Sequence, residues 1–499
     1  MAFKDVMGLR KNGKYAEAYE MADAEYQQDP ENIWAKRALA WCLFDGLKAN
    51  ASYAQKELFL NKITEISELN VSADEDLFWK SVSWPIVMFV RNTSLTEGAS
   101  LDVISNLFDM IKEWPFIKPS EEYSALFSGF MTLKEKWDRF IEFCDWWNFD
   151  NFIERDYQCF TLPNGRKMPL SPAESAYIAY AKALIAFKNP VAISAFIPRM
   201  QKLSEEHPEM LYPNFYIGKM LLASGGDGQD AVSALLPFVK KKQTEFWAWQ
   251  LLAEAIDGDD EKCMACLLRA VNCHTQDQFV VNLYLMLAKA LLQLKYYADA
   301  RFYLDKYLKI KTETQTKISY DAQLMSNEKW YKDAAGKSPE YKLDYMSITN
   351  EILYGDIAET IAVVSFVNAD KKMATVVYGE KHSGFFKYDS LIKRINAGDI
   401  LKIRISEVSS DGHMKVFSAK TVNENISTNF YKVVDGTVSS SKTGTAFFLN
   451  VGKESYYIPS NLVEKNQLKV NDVAKANVLY SFDRKRDQWS WACVTICKK

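Results

Sequence analysis

Close to the C-terminus, aromatic rings are interleaved with lysine and arginine. Phe447, Phe448, Tyr457 and Trp489 lie near Lys442, Lys453, Arg484, Lys485 and Arg486. A flat ring offers a face on which a nucleobase stacks, worth about 1–3 kcal/mol per base, and a cation beside it neutralises a phosphate. This residue set is what a platform for single-stranded nucleic acid requires. Phe447 and Tyr457 are the candidates for stacking. Neighbouring residues of a strand face opposite ways, so one of Phe447 and Phe448, and one of Tyr456 and Tyr457, must turn inward. Trp489 and Trp491 flank Ser490 and point to one side of their strand. Residues 429–499 hold eleven lysines and arginines against six acids, whereas the whole chain has a net charge of −3. The cation excess is therefore local, as expected of a site rather than of a generally basic molecule. The competing reading makes the rings a small core and the cations solvated turn residues.

Other chemistries find little support. Cys263 and Cys266, with Cys273 and His274 after them, have a superficial zinc-ligand spacing. They fall in a helical stretch where Ala265 takes a packing position, so core cysteines are the reading. The chain has only four histidines, His207, His274, His382 and His413. None stands in a metalloprotease motif, and there is no nucleophile elbow, phosphate loop or dinucleotide fingerprint. The expectation is a non-enzyme with no cofactor and no metal. Eight cysteines are spread over 499 residues, and Met1 to Asp5 contains no apolar signal core. A reducing cytoplasm with free thiols is expected, and no membrane segment, since the apolar runs fall short of the roughly 20 residues a span needs.

The elements that would position the rings are short strands. Residues 436–438, 446–451, 455–458, 473–480 and 489–496 are strand-like, with turns at Lys442-Thr443-Gly444 and Gly452-Lys453. Five short strands with a link after the third is the order of a small Greek-key barrel of the oligonucleotide-binding kind. Upstream, 360–367, 373–378, 384–388, 400–405 and 414–422 repeat that order, and Ala397-Gly398-Asp399 precedes the fourth run much as Val470-Asn471-Asp472 does later. Two tandem five-stranded barrels follow, at 354–424 and 429–499. Gly436-Thr437-Val438, the Lys/Gly turn, the aromatic strands and Leu468 to Val473 resemble cold-shock domains. Thr445-Ala446-Phe447-Phe448 departs from the family's Gly-aromatic-Gly-Phe strand by lacking one ring. The resemblance implies stacking by Phe448 and Tyr457.

Residues 1–335 have a helical apolar period. Ala181, Gly218, Ala253 and Ala288 recur at intervals of about 35 residues, each between larger apolar residues. Tyr284, Leu287-Ala288, Leu291, Tyr297 and Ala300 fit the pattern best. The stretch resembles tetratricopeptide repeats, which stack into an α-solenoid with a concave surface for protein partners. That resemblance places Asn214, Gln250 and Asn282 on the partner-binding face. Residues 70–166 are degenerate and rich in Trp and Phe, read as packing between repeats. Gly336 and Pro339 break the helix, and 336–353 is expected as a linker containing a helix or an ordered strap.

Helical repeats followed by tandem cold-shock-like barrels resemble accessory proteins of prokaryotic conflict systems of the TOTE type. The resulting expectation is a non-catalytic adaptor. Its barrels would hold single-stranded RNA or DNA, its solenoid would hold a protein, and its setting would be antiviral defence. The alternative is a pure protein scaffold whose barrels are interaction modules.

Overall fold

The computed structural model describes every residue except 1, 163, 274, 336–340, 423–425 and 484–486. The chain divides into two compact units, residues 1–243 with 254–257, and residues 244–253 with 258–499. The division falls within the helical repeats rather than at their end. Their apolar period runs on past residue 243, so periodicity carries no mark of it.

The first unit is built from helices packed on sequence neighbours, such as Tyr15–Gln28 on Ile33–Ala49 and Tyr212–Ala223 on Gly228–Lys241. Asn32 caps one of these by accepting the backbone N–H of Trp34 at 2.9 Å and of Ala35 at 3.3 Å. Gly218 explains the small residue of the repeat. A Cβ there would lie 2.5 Å from Leu235 Cγ, so only glycine allows the two helices to approach this closely. The aromatic stretch 70–166 is mostly core, as expected. Phe130 and Phe143 stack at 4.2 Å, and the fully buried Trp147 donates its Nε1–H to the Tyr123 carbonyl at 3.1 Å. Trp84 departs from this, remaining 49% exposed.

The second unit opens with further helices, among them Asp260–Val271, Val281–Gln293 and Tyr297–Glu313. Ala288 and Ala300 are fully buried. Two five-stranded sheets follow. The first comprises β1 (Thr360–Asn368), β2 (Met373–Gly379), β3 (His382–Lys387), β4 (Ile400–Val408) and β5 (Met414–Val422) in the order β3-β2-β1-β4-β5. Among the described residues a parallel bridge between Phe385 and His413 links its edges, and it curls without closing fully, where a small five-stranded barrel was expected. The second comprises β6 (Tyr431–Ser440), β7 (Phe447–Val451), β8 (Glu454–Ile458), β9 (Val473–Asp483) and β10 (Gln488–Lys498) and closes as a barrel in the order β10-β8-β7-β6-β9. The link after β8 is a short helix, Ser460–Lys465.

Each sheet has its own core. Val364, Val376, Leu401 and Ile403 fill the first, and Val438, Leu449, Ile458 and Val478 fill the second. A third apolar cluster joins the two sheets. Val363, Val377 and Ile400 on the outer side of the first pack with Phe430, Tyr431 and Leu479 of the second. Gly398 belongs to this junction. Its φ is +91°, and a Cβ would lie 2.7 Å from Thr495 Cγ2. The expected linker contains a packed helix, Tyr345–Tyr354, capped by Asp344, whose side chain accepts the Ser347 N–H at 3.1 Å. Thr349, Leu353 and Tyr354 are buried, and the helix lies against Asp260–Val271 and β5. Tyr354 stacks on Phe417 at 4.3 Å. Arg404 of β4, almost fully buried, donates from Nε to the Ile357 carbonyl at 2.9 Å and pairs with Glu351 at 2.7 Å and Glu359 at 3.5 Å. These charges clamp helix to sheet. Among the described residues no helix is long and apolar enough to cross a membrane.

Candidate nucleic-acid interface

Strand alternation decides which rings of the second barrel face outward. In β7, Leu449 is fully buried, and Phe447 packs on the barrel core beside it. In β8, Tyr456 and Ile458 are buried. Phe448 and Tyr457 therefore lie on the opposite, outer face, both half-buried. They are directly paired across β7 and β8, with ring centroids 6.0 Å apart in an edge-on arrangement. Phe447, read from sequence as a stacking candidate, is a core ring. The Phe448 and Tyr457 positions are those that the cold-shock resemblance picked out.

A polar row that the sequence reading overlooked lies on the same face. Asn450 follows Phe448 by two residues and pairs with Ser455 in register. Its Nδ2 donates to Ser439 Oγ at 2.9 Å, and its Oδ1 accepts from Ser455 Oγ at 2.9 Å. The signal was present, since residues two places along a strand share a face. Two rings beside a chain of hydroxyls and an amide offer stacking and hydrogen bonding on one surface.

The cations are placed unevenly. Lys442 lies in the turn before β7 and Lys453 in the turn after it, so they mark opposite ends of that strand. Both are exposed, and neither forms an ion pair among the described residues. Part of the local cation excess is neutralised. Lys498 pairs with Asp472 at 2.7 Å, Lys499 with Asp435 at 2.9 Å and Lys432 with Glu454 at 3.7 Å. Arg484, Lys485 and Arg486 lie outside the described residues.

Trp489 is not grouped with Phe448 and Tyr457. It packs near the junction between the sheets, 5.8 Å from Tyr480 and 5.8 Å from Phe482. Trp491 leans on the barrel core and carries Lys432 over its ring at 4.9 Å. Burial, then a hydrogen bond to Glu454, pushes the Tyr456 hydroxyl up to about 12.

The three residues assigned to protein binding have different surroundings. Asn214 is half-buried, and its Oδ1 accepts from Ser204 Oγ at 3.1 Å within the first unit. In the second unit Gln250 is half-buried and Asn282 is exposed. Among the described residues no group of His, Cys, Asp and Glu is arranged to hold a metal. Cys266 is buried in its helix, and the Cys263 thiol lies 3.6 Å from the Ala253 carbonyl. His274 lies outside the described residues.

Comparison with known proteins adds the following. Residues 211–349 match a domain of unknown function, DUF7017. No curated protein matches the chain. Among solved structures, the complex titled "TPR2AB-domain:pHSP90-complex of yeast Sti1" aligns with 66% of this chain and 96% of that one, at 13% identity and a TM-score of 0.20. Residues 354–416 match S1/CSD-like domain 1 of the TOTE conflict systems, and residues 432–496 match domain 2. The two sheets at the C-terminus are thus similar to the two S1/CSD-like domains of the TOTE conflict systems, and an array of helices precedes them here.

Proposed function

We propose that the chain is a non-catalytic adaptor. Its second barrel holds single-stranded nucleic acid on the outer face of β7 and β8, and its helical repeats hold a protein. The observation that carries this is the outward pair of Phe448 and Tyr457, 6.0 Å apart, beside the bonded row of Ser439, Asn450 and Ser455. Each ring stacks a base, and the row supplies donors and acceptors to base edges. Lys442 and Lys453, together with Arg484, Lys485 and Arg486, supply phosphate contacts. The setting we propose is cytoplasmic antiviral defence, in keeping with the conflict systems whose domains the chain carries.

The test is titration of labelled single-stranded RNA, single-stranded DNA and duplex with the full chain. Wild type binds the single strands, with affinity falling as salt rises. Tyr457→Ala loses about 1–3 kcal/mol of binding if the ring stacks one base. A folded Tyr457→Ala chain with unchanged affinity, or a wild type that binds no strand, overturns the proposal. The scaffold reading has one observation in its favour: Val363, Val377 and Leu479, on outer faces, are already used for protein packing. Under that reading no strand binds and the repeats still capture a partner.

A further inference from the structure

A cleft of about 720 Å³ opens beside the junction of the two sheets. Its floor is the outer side of β1, β2 and β3, and Ser481 and Phe482 of β9 form its wall. That volume lies within the roughly 300–1,000 Å³ typical of pockets for small organic groups. We propose that this cleft is a second single-strand-binding site, built jointly by both sheets, and that it takes one or more bases of a strand also held at Phe448 and Tyr457. The proposal rests on the nucleic-acid reading of the second barrel and extends it to residues of the first sheet.

Three observations lead to that occupant. The first is exposed aromatic area. Phe366 is 61% exposed and Phe482 is 40% exposed, and Phe385 joins them in the lining. Register places Phe366 opposite Thr375 and Thr375 opposite Phe385, so two rings flank a hydroxyl across three strands. Rings left in water on a sheet face offer stacking surfaces, and every base has a face to match.

The second is polarity and charge. Serine and threonine hydroxyls and the Asn368 amide intersperse the rings, and among the described residues that line the cleft Lys371 carries a charge and none is a carboxylate. Lys371 is exposed in the β1–β2 turn and forms no ion pair among the described residues. A cation beside uncharged donors and rings suits a stacked base with its phosphate better than a purely apolar partner.

The third is continuity. On the outer surface of the second barrel, Tyr457 lies opposite Ala492 of β10, and Ser490, two residues before Ala492, lies opposite Ser481 of β9. By register, the small residues Ala492 and Ser490 lie between Tyr457 and Ser481 of the cleft wall among the described residues. From strand spacing and rise the separation is roughly 12 Å. The junction fixes this path, because Val363, Val377 and Leu479 lock the two sheets together beside it.

The test uses the full chain and oligouridylates and oligothymidylates of about 4 to about 16 nucleotides, the range of site sizes found per OB fold. Phe366→Ala and Phe482→Ala should each weaken the longest strand about 5- to 150-fold, the loss of one stacked base, and leave the shortest unchanged. Phe366→Tyr, which keeps a ring, should restore the affinity. Lys371→Glu changes only an exposed turn and should flatten the salt dependence of the long strand by about 0.7 for each phosphate it ceases to neutralise. Unchanged binding of long strands by the Phe366, Phe482 and Lys371 variants, with Tyr457→Ala impaired, overturns the second site and leaves the proposed function standing. Equal weakening at all lengths by Lys371→Glu also overturns it. A wild type that binds no strand of any length overturns both.

Discussion

The two C-terminal sheets share a strand order and differ in how they use their faces. The second closes as a barrel through the β8–β10 pair and keeps the outer side of β7 and β8 open. The first stays a curled sheet, with a bridge between Phe385 and His413 linking its edges among the described residues. It gives part of its outer face to its neighbour and is held from behind by a helix through Arg404. Topology alone therefore does not say where a ligand goes. Burial on each face separates the two sheets further, since among the described residues it leaves rings at least partly exposed at Phe448 with Tyr457 and at Phe366 with Phe482. The first sheet is also anchored to the helix Tyr345–Tyr354 through β5 and Arg404.

The sharpest way to break the comparison is at the anchor. Arg404→Met removes one side of a largely buried charge cluster and leaves Glu351 and Glu359 without it. Breaking such a pair costs about 3–5 kcal/mol when both ends are buried, and Glu351 is half exposed, so about 2–3 kcal/mol is expected. Denaturant unfolding followed by residue-resolved hydrogen exchange should show the amides of the first sheet losing protection earlier while those of the second barrel hold. Coincident loss of both would mean that the sheets fold as one.

The next contrast uses neighbouring rings of β7. Phe447→Ala opens a cavity in the barrel core and should destabilise the second barrel by about 2–3 kcal/mol, less than a fully buried phenylalanine because its ring is partly exposed. Phe448→Ala should change stability by less than about 1 kcal/mol yet weaken strand binding by about 1–3 kcal/mol. Thermal melts and strand titrations on the same two variants separate the outcomes. A Phe448→Ala chain that melts early and binds normally would reverse the assignment of faces.

The junction gives a smaller effect. Gly398→Ala places a methyl group 2.7 Å from Thr495 at a positive φ, a strain of about 1–3 kcal/mol. Proteolysis should then cleave between the sheets more readily, and the cleft at Phe366 and Phe482 should lose its contribution to long-strand binding. The mildest effect is one of pH. Burial raises the hydroxyl of Tyr456 and the thiol of Cys493 each to about 12, from ordinary values of 10.0 and 9.0. Both groups are neutral when protonated. The stability they carry is thus fully present below those ordinary values and is lost as pH rises to about 12. Alkaline melts of the second barrel should fall across that window, and Cys493→Ala should narrow its lower part. A melt independent of pH from 9.0 to 12 would contradict both assignments.

The ten strands among the described residues were legible, though β6 only at 436–438 of Tyr431–Ser440, because β-branched and aromatic runs stand between Gly, Asp and Lys turns. The repeat was legible because a small residue recurs where helices touch, and Gly218 against Leu235 shows why. The inward ring of Phe447-Phe448 was not legible, since either choice satisfies alternation until the core is assembled. Nor was the junction, because Val363 and Val364 are apolar on both faces and a buried outer face looks like a better core. The helix Tyr345–Tyr354 was legible as one of two alternatives, a helix or an ordered strap, because Gly336 and Pro339, which lie outside the described residues, say nothing about what packs after them. Asn450 was passed over because its meaning depends on two serines from other strands.

The Arg404 clamp bears on where this protein can be cut for study. The match to the first S1/CSD-like domain begins at residue 354, and a fragment starting there discards Glu351 and the helix that carries it. Such a fragment keeps every strand of the sheet and loses the shield over a nearly buried guanidinium. A fragment that begins ahead of Asp344 retains the cap, the helix and the counter-charge together. The smallest self-sufficient piece of the first sheet is therefore set by a charge that must stay covered, and it starts about one helix earlier than sequence similarity would place it.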